Sequence, residues 1–85
     1  MPIDQFVSEL LFKSNRLVTT VIAYDGNQNA EYIGEASPNT GKGEAKWRIK
    51  KLTYDINQNA TDIQWAGGTS EDNQVWDNRA SLSYS

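Results

Sequence analysis

Two nearly identical heptapeptides lie thirty residues apart in this chain: Tyr-Asp-Gly-Asn-Gln-Asn-Ala at 24–30 and Tyr-Asp-Ile-Asn-Gln-Asn-Ala at 54–60. Each lies between segments of strand composition, at 18–24 and 31–36 for the first copy and at 46–54 and 61–66 for the second. Asp and Asn tolerate left-handed backbone and hydrogen-bond to their own turn, so these stretches are typical of hairpin tips. The repeat therefore predicts two matched β-hairpins, with tips at residues 25–29 and 55–59.

The third strand-like segment contains a change of phase. Apolar residues alternate through Trp47 and Ile49, but after Lys51 the apolar phase moves to Leu52 and Tyr54. Such a shift is expected of a β-bulge or of a strand that changes sheets.

The last residues alternate again, with Ala80, Leu82 and Tyr84 separated by serines, which predicts a final strand. We therefore predict an all-β fold, an antiparallel β-sandwich or small barrel of about six strands. The residues expected in its core are Trp47, Ile49, Ile63, Trp65 and Leu82.

Chain length limits how much core such a fold can build. Eighty-five residues make one domain, and a domain of this size buries only about 60% of its unfolded surface. The chain has no cysteine, so we expect oligomerisation or docking on a larger assembly to supply stability. It contains no apolar run of membrane-spanning length and begins without signal-peptide character, so no membrane partner is expected.

The N-terminal segment has apolar residues at helical spacing. They fall at i, i+3, i+4, i+7 and i+8, one face of a helix: Ile3, Phe6, Val7, Leu10 and Leu11. The segment could pack on its own domain, dock on a neighbouring subunit, or form an extended arm. We predict a docking segment at residues 1–16, helical or extended, ahead of a β domain at 17–85. We assign these five residues, with Phe12, to partner binding.

The heptapeptides also have the oxygen spacing that opens a calcium-binding loop, Asp-x-Asn-x-Asn. Ala30 and Ala60, however, stand where that loop needs its glycine, and Ala36 and Ala66 stand at the twelfth, carboxylate position. Turn chemistry explains the same residues, so we expect no metal and no other cofactor.

The basic residues Lys46, Arg48, Lys50 and Lys51 form the main cluster of positive charge. Nucleic-acid binding usually needs a basic domain, whereas this chain has a net charge of −3. Acidic residues that can pair across strands are Glu31, Glu35, Glu44 and Asp62. We expect a solvated, salt-bridged strand face and no nucleic-acid partner.

Catalysis has few candidate residues, because the chain contains neither histidine nor cysteine. Carboxylate pairs remain possible in number, but a domain this small offers little room for a cleft that would perturb them. We therefore predict that the protein is not an enzyme. Among the tryptophans, Trp76 is the one expected to be exposed for stacking or partner contact.

Three segments carry a resemblance to a known group of proteins. They are Tyr-Ile-Gly-Glu-Ala at 32–36, Lys-Trp-Arg-Ile-Lys-Lys-Leu-Thr-Tyr-Asp at 46–55, and Val-Trp-Asp-Asn-Arg-Ala-Ser-Leu-Ser-Tyr-Ser at 75–85. Together they resemble small virion structural proteins of tailed bacteriophages, over roughly residues 18 to 85. The resemblance implies an all-β module of the particle and no catalytic residues.

The resemblance and the residue patterns lead to one functional prediction. We expect a non-enzymatic, homo-oligomeric structural component of a phage virion, assembled in the host bacterial cytoplasm together with other virion proteins. A tail location is favoured (baseplate, tail tip or fibre attachment). A capsid decoration or head-fibre protein is one alternative, and a receptor- or glycan-binding module is another.

Overall fold

A four-stranded antiparallel meander forms the body of the protein. The computed structural model describes residues 17–85; the predicted docking segment at 1–16 lies outside them. The strands are β1 (Thr19–Tyr24), β2 (Ala30–Ala36), β3 (Ala45–Tyr54) and β4 (Ala60–Trp65), in that order across the sheet. A short β5 (Gln74–Val75) pairs with the start of β3, and a 3₁₀ helix follows at Trp76–Ser81.

The predicted β fold is confirmed in its coarser form, an antiparallel β-sheet. Five strands are present in residues 17–85, and the sheet they form is open. No second packed sheet and no closed barrel is built by these residues. The sandwich and the sixth strand are therefore not confirmed.

The two hairpins are structural copies of one another. Thr19 lies opposite Ala36 in the first hairpin, and the equivalent pair thirty residues on is linked by a 2.8 Å bond from the Ala66 N–H to the Ile49 carbonyl. The pairing slips at the same place in both, between Ala23 and Tyr24 and between residues 53 and 54. The repeat in the sequence is thus also a repeat in register, and both tips lie at the same end of the sheet.

The core lies on one face of the sheet, at the end opposite the tips. Its buried members are Ala36, Trp47, Ile49, Ala66 and Trp76. Trp47 and Ile49 confirm the prediction, and Leu82 packs against this cluster while remaining half-buried. Ile63 and Trp65 were wrongly placed in the core, since Ile63 is 59% exposed and Trp65 is neither in the buried cluster nor packed against it. The reason is register: Trp65 lies opposite Lys50 and Ile63 opposite Leu52, so both project from the other face, away from Ile49.

Strand β3 changes its neighbour along one edge. Residues Ala45 and Trp47 pair with β5, and residues from Lys50 onward pair with β4. A bulge at Lys50 and Lys51 is not found, because the register there is continuous with both β2 and β4. Strand β3 is therefore shared between two ladders, and its pairing with β5 is irregular between Ala45 and Trp47. The predicted change of sheets is not confirmed, because the five strands belong to one sheet.

The C-terminal residues are held in place, but only partly as a strand. The 3₁₀ helix takes up Ala80 and Ser81, where a strand was predicted, so that part of the prediction is wrong. Beyond it, Tyr84 forms a β-bridge with Ala66, and the Gly67 N–H donates to the Ser83 carbonyl at 2.7 Å. The helix fits here because its first residue, Trp76, turns into the core at the end of β5.

Candidate functional site

The hairpin tips are the first candidate site, and their oxygens serve the turns. The Asp25 carboxylate accepts main-chain N–H bonds from Asn27 (2.8 Å) and Asn29 (3.0 Å), and Asp55 does the same in the second tip, at 2.9 Å from each donor. The pKa of Asp55 is lowered, and the hydrogen bond from the Asn59 main chain is the largest cause. Desolvation opposes this shift, whereas the hydrogen bonds from the Asn57 main chain and the Asn59 side chain add to it.

Contacts between the tips tie the two hairpins together. The Tyr54 hydroxyl donates to the Ala30 carbonyl at 2.7 Å, and the Asn29 side-chain amide donates to the Gln58 side-chain oxygen. An open depression of about 280 Å³ lies beside these contacts, lined by residues that include Asp25, Glu31 and Asp55. Within residues 17–85, no group of three or more His, Cys, Asp or Glu side chains is placed to hold a metal ion. The contacts between the tips therefore link the two hairpins, and the described tip residues form no recognisable catalytic or metal-binding arrangement.

The segment of the most specific resemblance lies against the core. Trp76 is only 4% exposed, so the prediction of an exposed indole is wrong. Its ring lies 6.2 Å from that of Trp47, and the Arg79 guanidinium lies 4.7 Å from its centroid. Gly34 of β2 lies beneath the indole and leaves no space for a side chain. Trp76 is consequently a packing residue of the described domain.

Tyr84 adds a second aromatic contact on the core face. Its ring lies 5.8 Å from that of Tyr32, and its hydroxyl donates to the Arg79 carbonyl at 2.8 Å. Burial raises the pKa of Tyr84 to about 12; the neighbouring Tyr32 contributes to the rise and Arg79 opposes it. This arrangement binds the terminal residues to β2 and leaves the phenol protonated at neutral pH.

The basic cluster of β3 is divided between the two faces of the sheet. Arg48 donates to Glu35 across the β2–β3 pair at 3.1 Å, as the predicted cross-strand pairing requires. Lys50 lies 5.5 Å from the Trp65 ring on that same face, while Lys51 lies 5.8 Å from Tyr32 on the core face. Alternation along the strand separates neighbouring cations in this way, so they do not form one continuous basic surface.

The face of the sheet opposite the core carries the most distinctive surface. We call it the outer face, and its apolar members are Ile22, Tyr24, Ile33, Leu52, Ile63 and Trp65. Ile22 is 45% exposed and Tyr24 62% exposed. Ile22 lies directly opposite Ile33, and Leu52 lies directly opposite Ile63. These side chains therefore form two partly exposed apolar pairs, and Lys50 lies on the same face directly opposite both Ile33 and Trp65.

The predicted contact residues fall into two groups. Ile3, Phe6, Val7, Leu10, Leu11 and Phe12 lie outside the described residues, and their role stays a prediction. Trp76 is described and buried. The outer face was missed, although a signal for it exists: both alternating faces of 17–24 contain apolar residues.

Comparisons with known proteins identify no relative of this chain. No protein-family model, no curated protein and no solved structure matches this chain. None of the helices in residues 17–85 is long and apolar enough to span a membrane.

Proposed function

We propose that this protein is a non-enzymatic structural component of a tailed-phage virion, located at the tail (baseplate, tail tip or fibre attachment). The observation that carries the proposal is the uncovered outer face. Monomeric proteins seldom leave contiguous apolar surface exposed unless it makes an interaction. A single-layered sheet with large apolar side chains exposed on one face, such as Ile22, Tyr24 and Ile63, suits a subunit that is completed by its neighbours.

The resemblance of residues 18–85 to small virion proteins supports the particular assembly. In this proposal the apolar N-terminal residues contact a neighbouring subunit, through Ile3, Phe6, Val7, Leu10, Leu11 and Phe12. The second layer that a β-sandwich requires would then come from another subunit. Partners would be further copies of this chain and other virion proteins.

The two alternative functions differ from the proposed one either in the location within the particle or in the ligand that is bound. A capsid decoration or head-fibre protein would use the same surfaces at another place in the particle. A glycan-binding module depended on an exposed Trp76, and burial of that indole removes its main support. Structural assembly in the particle therefore remains the favoured function, with the tail as its proposed location.

A truncation tests the N-terminal contact. Deleting residues 1–12 should leave a folded domain, because the core cluster described within residues 17–85 is retained in full, and the shortened protein should fail to enter particles. Circular dichroism checks the fold, and immunoblots of purified virions measure incorporation. Normal incorporation of the truncated chain would refute the docking role.

Point variants sharpen this test. Replacing Phe6 and Leu10 by serine removes two of the apolar side chains assigned to docking, whereas replacing Asp4 and Glu9 by alanine changes two acidic residues of the same segment as a matched control. Only the first variant should lose incorporation. Immunogold electron microscopy on intact virions then separates tail from head, and absence of the full chain from purified virions would refute the virion role itself.

A further inference from the structure

Strand β1 leaves one edge of the sheet open. No described residue pairs with its outer side. Its six residues, Thr-Thr-Val-Ile-Ala-Tyr, include no charge and no proline. The slip in pairing near the tip places the extra residue, Glu31, in β2 and not in β1. Proteins commonly protect exposed edges with charges, prolines or bulges, and β1 has none of these.

The opposite edge of the sheet is protected. The Trp65 N–H donates to the Ser85 carbonyl at 3.0 Å, and the Ser85 N–H donates back to Trp65 at 3.1 Å. Asp62 adds a charge in the middle of β4. Within residues 17–85, one edge has a cover and a charge while the other has neither, so β1 is the edge suited to pairing.

The internal repeat provides a template for that pairing. Strand β3 is the counterpart of β1 thirty residues on, and its matching edge is paired with β2 from Arg48 to Lys51. That covered edge carries three cations, whereas the uncovered β1 is neutral. This distribution is the reverse of what protection of a solvent-exposed edge requires.

The register also indicates which groups point outward from β1. The main-chain N–H and C=O of Trp65 both bond to Ser85 and so point away from β3. Trp65 and its opposite partner Lys50 therefore form a non-hydrogen-bonded pair, in which Lys50 directs its own N–H and C=O toward β2. Thr20 is the counterpart of Lys50 in the first hairpin. Thr20, and two residues later Ile22, therefore direct N–H and C=O groups to the free edge.

We propose that β1 pairs antiparallel with β1 of a second copy of this chain, about a two-fold axis at Val21. Thr20 of each copy then faces Ile22 of the other, and β-branched residues meet across the new pair. No like charges are brought together, and the two outer faces join into one across the dimer. The contact is isologous, so it closes at two copies. This inference deepens the proposed function and depends on it only for the setting in which the dimer is used.

The test is the oligomeric state of the full chain in solution, measured by sedimentation equilibrium. We expect a species of twice the 9.5 kDa chain mass. Ile22→Lys should raise the dissociation constant by about tenfold or more, because it places like charges on the pairing edge. Ile63→Lys is the matched control: it changes a similarly exposed isoleucine of the same face but on the protected edge. It should leave the dimer intact.

A cysteine variant checks the register independently. In the proposed arrangement Val21 faces itself as a non-hydrogen-bonded pair, with Cα atoms about 4.5 Å apart, within disulfide range. The chain has no cysteine of its own, so Val21→Cys should give a covalent dimer on mild oxidation. The control Thr53→Cys lies exposed on β3, away from the β1 edge, and should not.

Each contrary outcome refutes a specific step. A full chain that stays monomeric, or a dimer unaffected by Ile22→Lys and uncrosslinked by Val21→Cys, overturns the β1 pairing. A dimer lost with Ile63→Lys means that the outer faces associate directly, which also overturns it. A β1 dimer that is absent from virions would instead refute the proposed function and leave the pairing standing.

Discussion

Gly34 is the position where one added methyl group most directly tests the packing of the core. A Cβ atom built there would lie 2.5 Å from Cε3 and 2.8 Å from Cζ3 of Trp76, and 3.2 Å from a methyl of Val21. Carbon atoms in contact normally stay about 3.5–4.0 Å apart. The Gly34→Ala variant therefore requires the indole or the strand to move by about 1 Å.

The indole has little freedom to make that movement. Trp76 is buried, with the Trp47 ring 6.2 Å away and the Arg79 guanidinium also stacked near it. Overpacking of this kind typically costs about 1–3 kcal/mol, offset by about 0.4–1 kcal/mol from the reduced freedom of alanine in the unfolded chain. We expect a net loss of about 1–2 kcal/mol, or a fall in Tm of about 4–16 °C for a domain of this size.

Urea denaturation followed by tryptophan fluorescence measures this loss, and near-UV circular dichroism reports the movement of the indole. Gly26→Ala is the matched control, since a Cβ at Gly26 meets nothing within 4 Å and its φ is not positive. The control should stay within about 0.5 kcal/mol of the parent protein. If Gly34→Ala is as stable as the control and its near-UV spectrum is unchanged, the close contact of Trp76 with β2 is wrong.

Three further predictions concern the tips, the terminus and the β2–β3 pair. Gln28 has a φ of 65°, in the left-handed region that strains residues other than glycine. Gln28→Gly should therefore stabilise the domain by about 0.5–1 kcal/mol in urea titrations, whereas Gln28→Ala should not. Equal effects of the two variants would refute strain at this position. Tyr84, with its pKa raised from 10.0 to about 12, holds its proton more tightly in the folded state. Stability should therefore fall as pH rises from 10 to 12, by up to about 1 kcal/mol after allowing for solvent screening, and Tyr84→Phe should lack that component; an unchanged pH slope would contradict it. Arg48 and Glu35 form a half-buried pair at 3.1 Å, so Glu35→Gln should cost about 0.5–1 kcal/mol, less in 1 M salt; a loss independent of salt would argue against the ion pair.

The hairpins could be predicted from the sequence because the information that specifies them is local. The Asp25 and Asp55 carboxylates cap their own turns through residues two and four positions away, and the flanking strand residues follow directly. The same hydrogen bonds show that these aspartates serve the turns, as predicted. The strand bounds differ from the predicted ones by about one residue.

The core could be predicted only in part, because alternation tells which residues share a face but not which face is covered. Ile63 and Trp47 both belong to alternating apolar series in the sequence. The register of β4 on β3 nevertheless places Ile63 on the outer face and Trp47 on the core face. The burial of Trp76 depends on Gly34, forty-two positions earlier, and on a 3₁₀ helix that an alternating pattern at 80–84 does not suggest. Non-local contacts of this kind leave little trace in a single sequence.

The sequence by itself determined the two hairpins and their tips, since turn chemistry and a two-residue period act over short distances. It left open whether β3 carries a bulge or changes sheets. Only the tertiary structure decided which face became the core, why Trp76 is enclosed and which edge of the sheet stays open. Those outcomes depend on how distant strands register against one another and on where residues 83–85 return to the sheet. The physical reason is that a shift of one residue in register exchanges the two faces of a strand, and the register is set by the packing of the whole sheet.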